Sequence, residues 1–411
     1  MKALLAVAAL CAHAAAEPAA ITFEDAVRLA IASNPDARIA MIEIQRVEAL
    51  LSQASSALLP QVNGRVTYTR LEGDRFLMNR RTAAANQAIA NLGVLGPIVD
   101  LQLWADRRRA QDQRDATAAD AAAIRRDVAI ATARAYFSAL SAARLLEIAE
   151  TARKTAQAHV DFEQQRRQGG VGTELDLSRA QTELATDEAQ VASARTALVR
   201  AEEALGVITG SPAALAPAGE PELAEREGPG ISSRADIHAV ARHREAAEES
   251  AHLDWAQYTP ALRFAGEGFL TEPAVPPIPR LGYDVVITLV VPIYEGGLRR
   301  ARHAQHVAEL REAREREAGD VRQANSEVAT AYAALVQSRA ARDAARRAAE
   351  LAAKTLELAN VGFQAGTATG LEVIDAQRAA RDAATQAVIA QDDFREAELD
   401  VLAATGAFPP H

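Results

Sequence analysis

Two carboxylates three residues apart, Glu372 and Asp375, follow a run of glycines and threonines in "VGFQAGTATGLEVIDAQRAA", Val361 to Ala380. At that spacing both side chains leave one side of a first helical turn. Around a water-filled constriction with low-dielectric walls, such acids attract cations and repel anions, and like charges held close raise each other's pKa. The same residues also suit a local task. Thr369-Gly-Leu-Glu372 has the spacing of a capping box, and acids at a helix N-terminus are favoured by its dipole. An earlier stretch, "EQQRRQGGVGTELDLSRAQ", Glu163 to Gln181, repeats the plan with Thr173 and Asp176. Asp176 is the matching acid there, although Arg179 follows it closely.

Other chemistry is thin. His303 and His306 stand three apart on a long helical stretch and could hold a metal, but a solvated helix face is the default reading; His238, His243 and His252 are similar. Serines and histidines are scattered with no nucleophile elbow. No catalytic residue, metal or cofactor is expected, and the chain does not read as an enzyme. Only three methionines occur, one of them initiating, so no thioether-rich lining points to copper(I). A net charge of −10 over 411 residues leaves no basic footprint for nucleic acid.

The elements around the two glycine-rich stretches explain them better. The chain is 49% hydrophobic, 4% aromatic and rich in alanine, which suits closely packed helices. From about Arg107 to Gln168 and from Leu298 to Gly362 there is no proline, and Gly319 is the one glycine before Gly362. At ~1.5 Å per residue each run makes a rod of roughly 90–100 Å. The stretches after the glycines carry a seven-residue period: Leu177, Leu184, Val191, Leu198 and Leu205, then Ala376, Ala383, Ala390, Ala397 and Ala404 beside Val373, Phe394 and Val401. A sustained heptad means a left-handed coiled coil. Each glycine-rich stretch is therefore a hairpin tip between a long outgoing helix and a long returning one. The tip residues are Gly169, Gly170, Gly172 and Thr173 in the first case, and Gly366, Thr369 and Gly370 in the second.

The plan occurs twice. Tyr136 and Tyr332, Gly170 and Gly366, Leu175 and Leu371, and Gly210 and Gly406 are each 196 residues apart. Ser33 and Ser233, and Pro60 and Pro260, are 200 apart. Residues 1–16, "MKALLAVAALCAHAAA", have the form of a secretory signal peptide; Leu10 before Cys11 does not complete a lipoprotein box. The first repeat covers 17–210, a Pro/Gly-rich linker 211–231, and the second repeat 232–411. Each repeat reads helix, strand, strand, long helix, tip, long helix. In the first, the opening helix runs from about Phe23 to Leu59. The strands are Val62–Leu71 and Ile98–Trp104, separated by a loop of about 26 residues. The first long helix looks about five residues shorter than the second. In the second repeat the strands are Leu262–Leu270 and Tyr283–Ile293. Nine of the seventeen aromatic residues fall in 61–104 and 255–294, as interfacial belts around membrane strands would require. No apolar run is long enough for a spanning helix.

These features together resemble the TolC-like outer membrane efflux proteins, over essentially the whole length after the signal peptide. "ITFEDAVRLAIASNPDARIA" is similar to the family's opening helix, "ASSALLPQV" to its helix-to-strand passage, "VPIYEGGLRRA" to its strand-to-helix exit with Pro292, Gly296 and Gly297, and "FQAGTATGLEVIDAQ" to its second tip. The resemblance implies a mainly α fold with a small β part. Long coiled-coil hairpins and four strands per chain would build, in a homotrimer, a twelve-stranded barrel in outer membrane lipid continued by a helical tunnel across the periplasm. It implies passive export as the exit duct of a tripartite efflux or type I secretion system, with a periplasmic adaptor (membrane fusion) protein and an inner-membrane RND or ABC pump as partners. The tips, 167–173 and 364–370, would meet the adaptor end-on, and Glu372, Asp375 and Asp176 would line the periplasmic entrance, with the negative ring carried by the second copy because Arg179 follows Asp176. Where better-known members carry a tyrosine and an arginine that help hold the entrance shut, this chain has Phe363 and Ala368, so no hydrogen-bonded lock through those positions is available. A periplasmic adaptor or a structural coiled-coil protein would also show an exported hairpin. The adaptor has one hairpin and more β-structure, and the structural protein leaves the strand pairs and tip glycines unexplained.

Overall fold

The structure, a computed structural model, describes residues 18–78, 80–221, 230–275 and 278–408. The signal-peptide segment 1–16, with Cys11, lies outside the described residues, as does 222–229 of the linker. The chain divides into two compact units. One takes residues up to Met41, Ala121–Ile237 and those from Val321 onward; the other takes Ile42–Asp120 and His238–Asp320. Among the described residues no helix is long and apolar enough to cross a membrane.

The element order repeats as the sequence indicates, with four corrections. The opening helix is two: α1 (Phe23–Ser33) and α2 (Pro35–Ser56). Pro35 can start a helix but cannot continue one, and Asn34 serves both ends. Its side-chain oxygen accepts from the Asp36 amide at 2.8 Å, and its amide donates to the Ile208 carbonyl at 2.9 Å. The loop of 26 residues holds a small hairpin, β3 (Arg75–Leu77) and β4 (Arg80–Ala83), and most of a long strand, β5 (Asn86–Val99). Leu101–Trp104, read as the end of a strand, is the first turn of helix α3 (Leu101–Gln168). Asp100 makes that turn: its Oδ1 accepts from the Leu103 amide at 3.2 Å while Oδ2 accepts from Arg263 at 2.8 Å. With 68 residues, α3 is not the shorter long helix; α6 (Leu298–Gln364) has 67.

Strands β2 (Gln61–Arg70), β5, β7 (Ala261–Glu272) and β8 (Leu281–Val290) form one antiparallel sheet in that order. The register puts Val66, Ala90, Leu270 and Leu281 in one cross-strand row, and Gly64, Leu92, Gly268 and Tyr283 in another. That face is apolar apart from Arg70, Asn86 and Glu272 at one end. The opposite face carries Asn63, Arg65, Asn91, Glu267 and Asp284. A soluble sheet would turn its apolar face to a core, yet here Val66, Leu92, Tyr283 and Val285 stand 78%, 62%, 84% and 68% exposed. β2 and β8 are the sheet's edges, each paired on one side only.

The helical unit adds α4 (Glu174–Thr209) and α7 (Gly370–Ala404), the returning helices, while α5 (Ala235–His252) repeats the opening helix. β1 (Ala19–Ile21) pairs in parallel with β6 (Leu215–Pro217), so the connector is tied to the chain's start. Phe23 stacks on Phe137 and meets Tyr136 edge-on, with Leu205, Leu399 and Phe408 closing the same core. The heptad residues face inward: Leu177, Val191, Leu205, Val373, Phe394 and Val401 are buried. Duplication survives in detail. Gly210 and Gly406 end α4 and α7 with φ near +70°, and a side chain at Gly210 would collide with Ser33, one at Gly406 with Ser233. Yet Tyr136 is buried where Tyr332 is 44% exposed, so the two copies pack differently.

Candidate functional site

Both tips are closed by the same backbone device. Gly170 and Gly366 adopt φ of +79° and +78° with open space around them, so conformation alone requires glycine there. After Gly170 the amides of Val171 and Gly172 donate back to the Arg166 carbonyl; after Gly366 those of Thr367 and Ala368 donate to the Gly362 carbonyl. These bonds satisfy helix-end acceptors. Gly172 answers a different need, since a side chain would press on the Arg167 backbone at 2.8 Å. Gly169, by contrast, has room for one. The returning helices then start on Thr173 and Thr369, whose hydroxyls accept from the amides of Asp176 and Glu372.

The proposed constriction acids divide. Glu372 completes the capping box: its Oε2 accepts from the Thr369 amide at 2.7 Å, which holds its carboxyl below the usual range. Asp176 accepts from the Thr173 hydroxyl at 2.7 Å and lies 4.0 Å from Arg179. Asp375 is exposed and helps raise the pKa of Arg378, one turn on. Of the three acids, Asp375 has the side chain freest of helix-starting duty.

Phe363 is not idle. It is buried against His159 and Phe162 at 5.4 and 5.3 Å between ring centroids, with the Arg166 guanidinium 5.0 Å over its ring. The second hairpin therefore seats on the first through an aromatic and cation–π cluster. Burial, and then Arg166, push the His159 imidazole below its ordinary pKa. Gly370 lets the start of α7 approach Glu163, whose carboxylate oxygen would stand 3.1 Å from a side chain there.

Sequence reasoning missed the strongest polar link. On α4, Glu183 and Asp187 are one turn apart with side chains 3% and 4% exposed. From α7, Arg378 bonds Glu183 at 2.6 Å, and Arg381 bridges Glu183 at 3.1 Å and Asp187 at 2.6 Å. Burial raises the Asp187 pKa even though Arg381 opposes it. A signal was present. Positions 180, 187, 194 and 201 form the second seam series of α4 and read Ala, Asp, Ala, Ala. An acid in such a seam needs a partner, although its identity could not be read locally. Beside this network lies a cavity of about 250 Å³ lined by Glu147, Thr151, Gln377 and Leu356.

At the exit from the sheet, Gly296 and Gly297 take φ of +62° and +90°, and the Pro292 carbonyl accepts from Arg299 at 3.1 Å. Arg299 also lies over the Tyr258 ring at 5.2 Å. His303 and His306 do not face open solvent as a pair; each turns Nδ1 to Asp254, at 2.9 and 2.7 Å, beside Arg109 at 3.2 Å. Among the described residues no group of three or more side chains could hold a metal.

The sequence matches the outer membrane efflux protein family over residues 26–211 and 231–407. It is 27% identical over 310 residues to the fusaric acid resistance protein FusA of Burkholderia cepacia, covering 67% of this chain but 56% of that protein. It is 24% identical to the pyoverdine export outer membrane protein OpmQ of Pseudomonas putida, covering 92% of this chain and 84% of that one. The fold is similar to the CmeC outer membrane channel of Campylobacter jejuni, with a TM-score of 0.80 at 18% identity over 93% of this chain and 85% of that one.

Proposed function

The chain belongs to the outer membrane efflux protein family, and from that premise we propose that it is an outer membrane exit duct that conducts its substrates passively. The observation that carries the reading is the four-stranded sheet. It has one apolar face, exposed rows of Val, Leu and Tyr, and two edges paired on one side only. In lipid every backbone group must be paired, so such a sheet has to close with further copies. Strands of ten to fourteen residues are long enough for an outer membrane barrel. Three copies give twelve strands. Residues 1–16 serve as the cleaved export signal, and the tips around Gly170 and Gly366 receive a periplasmic adaptor fed by an inner-membrane RND or ABC pump. Relatives named for fusaric acid resistance and pyoverdine export favour small organic molecules as cargo.

Cell fractionation and detergent extraction test this. The protein should be recovered in the outer membrane as a heat-dissociable trimer lacking residues 1–16. Recovery as a monomer in the soluble periplasm would overturn it.

A further inference from the structure

We propose that Asp392 makes the seating of α7 against α3 and α4 depend on protonation, so that the second returning helix is held more tightly in mild acid than at neutral pH. Asp392 lines a groove of about 480 Å³ between the three helices. Its Oδ1 is buried and meets no hydrogen-bond partner. The groups that face it cannot supply a counter-charge. From α3 come Ser138 and Ser141, and from α4 Gln190 and Ser193, all uncharged. Arg381, the basic side chain lining the groove, is committed to Glu183, Asp187 and Asp382. On α7 itself the neighbours are Asp393 and Glu396, of the same sign. Toward α6, Arg342 sits over the Phe394 ring at 4.0 Å and pairs with Asp343. Arg395 and Arg144 share Glu220.

That oxygen of the half-buried carboxylate has lost water and gained no partner. Burial first, then Glu396 and Asp393, push its pKa up to about 6. The sign follows from linkage. The folded state holds the proton more tightly than the unfolded chain, whose carboxyl titrates near 3.8. Stability from this site is therefore full at low pH and is lost as pH rises through about 6. α7 also carries Asp375, Arg378 and Arg381, so a looser helix at neutral pH loosens the entrance of the duct, a consequence that rests on the function proposed above.

The test compares the detergent-extracted, assembled protein with the Asp392→Asn variant between pH 7.5 and pH 5. The variant should melt at a higher temperature than the parent at pH 7.5, and the gap should narrow as pH falls below about 6. Amides of residues 385–400 in the parent should gain protection from hydrogen exchange at pH 5, after correction for intrinsic rates; the parent alone gives this readout if the variant does not assemble. A variant no more stable than the parent at pH 7.5, or equal amide protection at both pH values, would overturn the proposal. Neither readout involves conduction, so failure of the duct assignment is seen separately.

Discussion

Replacing Arg381 by glutamine should loosen the second hairpin from the first. The substitution keeps much of the side chain but removes the charge that bridges Asp187 at 2.6 Å and Glu183 at 3.1 Å. Glu183 retains Arg378, so one carboxylate, not two, is stranded. Breaking a buried pair from one side costs roughly 3–5 kcal/mol, and the retained Arg378 argues for the lower end, about 3 kcal/mol. At 1.4 kcal/mol per decade that is about a hundredfold in the equilibrium between docked and undocked hairpins. The assay is single-channel recording in a planar bilayer, with the fraction of time spent conducting as the readout. Adding Asp187→Asn to Arg381→Gln removes the stranded charge and should recover much of the loss. Acid should do likewise, because burial already raises the Asp187 pKa and, with Arg381 gone, raises it further. An Arg381→Gln channel that conducts no more of the time than the parent, or one unrelieved by Asp187→Asn, would refute the assignment of this network as the link between hairpins.

Three further outcomes are expected. Asp375→Asn should weaken cation preference and block by multivalent cations in the same recordings, whereas Glu372→Gln, whose amide oxygen can still accept from the Thr369 amide, should change selectivity little. Alanine at Gly170 or Gly366, where φ is near +79°, should cost about 1–2 kcal/mol in thermal or denaturant unfolding, while Gly169→Ala should be neutral; a bulky residue at both positive-φ sites should abolish export with trimers still in the membrane. His159, whose pKa burial lowers, favours the folded tip only while neutral, so acid below about 6.5 should loosen tip packing; His159→Phe should remove that acid sensitivity in hydrogen exchange of residues 155–168.

What the sequence could disclose followed from period and punctuation. A heptad sustained over four repeats and glycines matched at 196 residues point to both hairpins, and in the structure Gly170 and Gly366 turn the chain while Thr173 and Thr369 start the returning helices. Boundaries between strand and helix were harder. Ile98–Trp104 alternates as a strand does, but Asp100 within it is a helix cap, and one side-chain oxygen decided the outcome. The long loop hid β5 because its small and apolar residues, Ala88, Ala90, Gly93 and Gly96, carry little strand signal until they are paired. Arg378 and Arg381 look like solvated charges on α7; only the approach of α4, some 190 residues earlier in the chain, shows that they are partners for buried acids.

The open edges of the sheet have a genetic corollary. In a closed ring of identical copies, β2 of each chain must take β8 of the next, so closure fails at the first bad junction. Gly282 on β8 is such a point, because any side chain there would meet the Phe269 ring at 2.5 Å and distort the edge offered to the neighbour. A cell making both normal and Gly282-substituted chains would therefore lose most of its rings, since one faulty member wastes the sound ones beside it. Edge alleles should behave as dominant, whereas alleles that merely prevent a chain from folding should be recessive.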